Sequence, residues 1–72
     1  MIVFPQESIM PILRGEQTTF KLGYHERVTV GQTYPASTSI FNADTIFTTL
    51  LITAVERRDG ERWATFQLAS LC

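Results

Sequence analysis

Seven residues between Gly15 and Arg27 carry the best prospect of ligand chemistry: Gly15, Gln17, Thr18 and Lys21, then Tyr24, His25 and Arg27. A glycine closing a helix accepts the left-handed turn that a side chain resists, and feeds the chain directly into a strand. Gln17, Thr18 and Lys21 then place an amide, a hydroxyl and a cation beside that junction. In the following loop, GYHER, Tyr24 can stack on a base while His25 and Arg27 contact phosphate or a base edge. The competing reading of Lys21 is a solvated strand lysine, and of His25 a solvated loop histidine. General-base chemistry by His25 would need a nucleophile beside it, and no serine or cysteine is positioned by motif for that role. Arg57 and Arg58, with Arg62 across Asp59-Gly60, form a second basic spot. Glu56, Asp59 and Glu61 interleave with it, as at a solvated hairpin tip.

The elements that must hold these residues follow from patterning. Residues 1–4 (MIVF) read as a short strand halted by Pro5. A helix follows, with Ser8 as its N-cap, Pro11 in its first turn and Ile9, Ile12 and Leu13 on its apolar face. Gly15 ends it. Residues 18–22 alternate, with Phe20 and Leu22 toward a core and Thr19 and Lys21 away from it. A short strand is expected within residues 27–30, and a turn at Gly31-Gln32. A strand over residues 33–40 is interrupted by Pro35, which marks an exposed edge or bulge. A turn at Asn42-Ala43-Asp44 leads to residues 45–55, the strongest strand, apolar on both faces at Leu50-Leu51-Ile52 as in a central strand. Asp59-Gly60 joins it in a hairpin to residues 62–71. Trp63, at that strand's start, is expected in the core or at a barrel end.

The bulk numbers set limits. Seventy-two residues form a single domain, 1–72, in which a chain of this size buries roughly 60% of its unfolded surface. The one cysteine, Cys72, excludes an intramolecular disulfide and reads as a free thiol, with a disulfide-linked dimer as the alternative. With His25 the sole histidine, no zinc cluster of ordinary ligands can be assembled, and neither metal nor cofactor is expected. A net charge of −1 argues against strong nonspecific duplex binding but not against a pocket reading one or two nucleotides. No basic-then-apolar leader and no spanning apolar run are present, so a cytoplasmic location without membrane contact is expected.

The order helix, glycine junction, strand, Gly-containing turn, long apolar strand and closing strand resembles the ASCH group of the PUA-like superfamily. These are small β-barrels linked to RNA binding and modified-nucleoside chemistry. Gly15-Glu16-Gln17-Thr18 stands where the family has Gly-x-Lys-Thr, and Val30-Gly31-Gln32 where it has a Val-Gly-Asp-like turn. Residues 46–55 match the long strand and residues 63–71 the closing one. Residues 57–61 form a tight turn in place of a helical insertion. The resemblance implies an α+β, mostly β fold: a small PUA-like barrel of about five strands with one short N-terminal helix. Some ASCH members hydrolyse acetylated cytidine through the lysine of that motif. Here it is Gln17, which cannot act as an amine, and Phe20 replaces a polar residue. Glu56 is the nearest counterpart of their glutamate. The expected function is therefore a non-catalytic binding module for single-stranded RNA or a modified nucleoside. The alternatives are a small accessory or phage-type protein that modulates a larger protein through an edge strand, and a weak acetylcytidine-type amidohydrolase.

Overall fold

The computed structural model describes residues 2–39 and 45–69. Five strands form one sheet in the order β1-β3-β4-β5-β2: β1 is Ile2–Val3, β2 Thr19–Lys21, β3 Thr33–Ser37, β4 Ile46–Arg58 and β5 Glu61–Leu68. All neighbours are antiparallel except β1 and β3, which run parallel. The sheet curls into a half-barrel. Its two edges approach each other through Phe4 and Phe20, whose rings meet edge-on at 5.5 Å. Both also contact Phe66 on β5, at 6.2 and 5.9 Å. This aromatic trio, with Ile2, Ile12, Leu50 and Ile52, fills the concave side. The mostly β architecture with one short helix matches the expectation from patterning.

The long strand lies where its composition places it. β4 occupies the middle of the sheet, with Leu50 and Ile52 fully buried. Residues 58–61 turn it into β5: Asp59 and Gly60 both take positive φ, 51° and 80°, the two-residue turn that matches strand twist. A Cβ on Gly60 would meet nothing within 4 Å, so the backbone alone sets the penalty for a side chain there. Gly60→Ala is expected to lower stability by about 1 kcal/mol, read as a lower urea midpoint with an unchanged slope.

β4 carries two irregularities. Ala36 pairs with Thr48 but Ser37 with Ile46, and Ile52 pairs with Phe66 but Ala54 with Thr65. Phe47 and Thr53 are thus extra residues without an opposite number. Each extra residue switches the side-chain parity of the strand. Beyond Thr53 the odd-numbered residues face the same side as Ile52. The buried hydroxyl of Ser37, next to the first bulge, bonds to the Ser39 carbonyl at 2.9 Å and to the Thr45 hydroxyl.

The helix is shorter than the pattern implies. Residues Gln6–Ser8 form a 3-10 turn and α1 spans only Ile9–Leu13, with Pro11 at its third position, inside the first turn. Ser8 makes no capping bond. The chain is already helical there (φ −87°, ψ −12°), whereas a capping hydroxyl needs an extended backbone to reach back to the first amides. Gly15 ends the element as expected, at φ 78°, with its N–H on the Ile12 carbonyl at 3.1 Å.

Three other expectations change. Residues 27–30 form no strand: the Thr29 amide is taken by the Tyr34 hydroxyl at 2.8 Å instead of by a neighbouring strand. β3 is covered on its outer side only at Ala36 and Ser37, where β1 pairs with it; Thr33, Tyr34 and Pro35 have no strand partner there among the described residues, so the edge is shorter than expected. The missing N–H of Pro35 falls on that outer side, since Gln32 and Ile52 fix the alternate residues as those bonded to β4. Trp63 is absent from the buried core. It is half-buried and lies in the row of β5 that faces away from Ala64 and Phe66. The turn at Asn42-Ala43-Asp44, the strand ends at Ile40 and Leu71, and Cys72 lie outside the described residues. Among the described residues no helix is long and apolar enough to cross a membrane.

Candidate functional site

The loop GYHER is held by its own turn and by one arginine. The Glu26 N–H donates to the Gly23 carbonyl at 3.1 Å, and the Gly23 N–H donates to the Glu26 carboxylate at 2.8 Å. The carboxylate occupies the space a Cβ on Gly23 would need, at 2.7 Å. From β5, Nη2 of Arg62 donates to the carbonyls of Gly23 (3.0 Å), Tyr24 (3.4 Å) and Glu26 (2.7 Å). Tyr24 and His25 therefore sit at the two central positions of a closed turn. Tyr24 is 92% exposed, and its ring meets that of His25 edge-on at 4.9 Å. The ring is thus held open to solvent on a turn whose backbone is braced by its own hydrogen bonds and by Arg62.

This turn packs against the β4–β5 hairpin to form an open pocket of about 730 Å³. Lys21, Tyr24, His25 and Arg27 line it on one side, Arg57 and Arg62 on the other. The two basic spots seen separately in the sequence thus become one. The Thr53 bulge accounts for this: it turns Arg57 onto the face of its cross-strand partner Arg62. Glu56 and Arg58 go to the opposite face and pair with each other at 3.3 Å. Four of the six Lys and Arg residues line the pocket, against Glu61 alone of the acidic residues among those described. Lys21 is engaged with that carboxylate at 2.9 Å. Arg27, Arg57 and Arg62 have no carboxylate within 4.0 Å among the described residues.

The other expected site residues lie elsewhere. Gly15 and Thr18 are exposed and line neither cavity. Gln17 lies in a smaller groove of about 300 Å³ along the seam between β1 and β2, with Val3, Thr19 and Trp63. Its amide donates to the Thr19 carbonyl at 3.3 Å, covering one outward backbone group of the β2 edge. Gln17 therefore lies outside the pocket beside Tyr24, although Lys21 lines both cavities and Glu26 of the GYHER loop lines the groove that holds Gln17. Glu56 lines neither cavity, and its carboxylate pairs with Arg58 at 3.3 Å. Among the described residues no three His, Cys, Asp or Glu side chains converge as metal ligands.

Comparison with family models, curated proteins and solved structures returned no match.

Proposed function

We propose that this chain is a small non-catalytic binding module for single-stranded RNA or a modified nucleoside, in keeping with its sequence resemblance to ASCH domains. The observation that carries the reading is Tyr24: a fully presented ring on a turn clamped by Arg62, beside guanidiniums with no carboxylate partner. Stacking on an aromatic face and charge pairing with phosphate are the two contacts single-stranded nucleic acids offer irrespective of sequence. Hydrolysis is left out of the reading. Gln17 stands at the position of the family's lysine, and its amide is bonded to its own strand.

Titration with short single-stranded RNAs and nucleosides is expected to shift the amide resonances of residues 21–27 and 57–62. Arg27→Gln with Arg57→Gln should weaken RNA binding about tenfold or more, leaving the spectrum of residues 46–54 unchanged. No shift at millimolar ligand would overturn the reading.

One observation favours a second reading, docking of an extended segment from a larger protein. The pairing of β2 with β5 leaves the backbone groups of Thr19 and Lys21 directed outward beside half-buried Trp63. Strand addition uses such edges. A Thr19→Pro variant, which blocks the outward N–H of that edge away from the pocket beside Tyr24, should keep RNA binding and lose capture of a partner; unchanged capture would count against it.

A further inference from the structure

We infer that the pocket beside Tyr24 takes a nucleoside bearing a compact run of phosphates, as in a nucleoside di- or triphosphate or a 5′-triphosphate RNA end, and not a length of RNA backbone. The inference rests on the proposed nucleic-acid reading and narrows it.

The distribution of charge is the reason. Proteins that hold a run of single strand line its path with cations. Here the cations converge on one pocket. The two that lie outside it, Arg14 and Arg58, are each paired with a neighbouring glutamate, at 3.9 and 3.3 Å. No basic track leads away among the described residues. Within the pocket Lys21 and Glu61 offset each other, leaving three guanidiniums uncompensated. Three such charges in one cavity match linked phosphates on a single nucleotide. A phosphodiester backbone would deliver the same charge only over three successive nucleotides.

The register adds a second reason. Arg57 and Arg62 stand directly opposite on adjacent strands, an arrangement that is unfavourable for like charges. Arg62 is turned away to the loop carbonyls, which accept its hydrogen bonds but do not neutralise it. An anion between Arg27 and Arg57 would relieve the repulsion, and planar guanidiniums suit paired phosphate oxygens. The pocket's size falls within the range of small-ligand sites. Tyr24 at the rim then meets the base.

The test is a calorimetric series on the intact chain, with chelator present. The ligands are a nucleoside, its mono-, di- and triphosphates, inorganic triphosphate, and oligonucleotides of about seven residues with 5′-hydroxyl or 5′-triphosphate ends. Affinity should rise about fivefold with each phosphate, and the 5′-triphosphate oligonucleotide should exceed its 5′-hydroxyl form at least tenfold. Arg57→Gln should flatten the phosphate series, with its amide spectrum otherwise unchanged. Tighter binding of the RNA end than of the free triphosphate would assign the source to RNA, and equal or weaker binding would assign it to the nucleotide. Equal binding of inorganic triphosphate and nucleoside triphosphate would overturn the nucleoside half of the inference. Binding that ignores phosphate number while growing with the length of 5′-hydroxyl RNA would overturn the inference and leave the proposed function standing. No binding by any ligand would overturn both.

Discussion

Phe66→Ala is expected to remove a large share of the chain's folding stability. Phe66 is 3% exposed, sits opposite Ile52 on the central strand, and touches the rings of Phe4 and Phe20. Those two rings belong to segments at opposite edges of the sheet. Its loss therefore opens a cavity and also removes the contact that draws both edges over the core. Truncating a buried phenylalanine costs about 3–5 kcal/mol. The whole stability of a chain this size is on the order of 4–11 kcal/mol. The melting temperature should fall by about 15 °C or more. Gln67→Ala, at the neighbouring exposed position, should melt like the parent. A Phe66→Ala melt within a few degrees of the parent would mean the trio does not hold the curl.

Arg62→Met should loosen the GYHER turn while leaving the sheet in place. Methionine keeps an apolar stem along the strand but cannot reach the carbonyls of Gly23, Tyr24 and Glu26. Bonds from a charged donor to partly exposed carbonyls are together worth about 1–2 kcal/mol here. That energy corresponds to roughly a tenfold faster exchange of the Glu26 amide. Ligand binding should weaken by more than the loss of one cation, because Tyr24 would no longer be held in position. The neutral variant Arg57→Gln separates the two effects: it removes a pocket charge without freeing the turn. If Arg62→Met and Arg57→Gln weakened binding equally and left exchange at Glu26 unchanged, the clamp would have no bearing on recognition.

Much of the sheet is legible in the residue types. Residues 45–55 announce a central strand because Leu50-Leu51-Ile52 is apolar on both faces, and Asp59-Gly60 supplies the two positive φ values its turn needs. Gly15 likewise marks the end of the helix. The candidate site is only half legible. The residues of GYHER are recognisable as ligand-type side chains, and the arginines of the hairpin as a charged tip. Their union depends on β2 pairing with β5, a contact between segments some forty residues apart in the chain. Gln17 reads as part of the same rim until the fold sends it to the seam.

By itself, the sequence determined the strand-rich class, the hairpin and its turn, the glycine that ends the helix, and a near-neutral total charge. These depend on local propensity and on side-chain periodicity, which act within a few residues. The tertiary structure alone decided where the charge collects. One extra residue at Thr53 reverses the parity of β4, so that Arg57 and not Glu56 faces Arg62. Register is a property of two strands together. It converts a chain of net charge −1 into a molecule with three uncompensated guanidiniums around one exposed tyrosine.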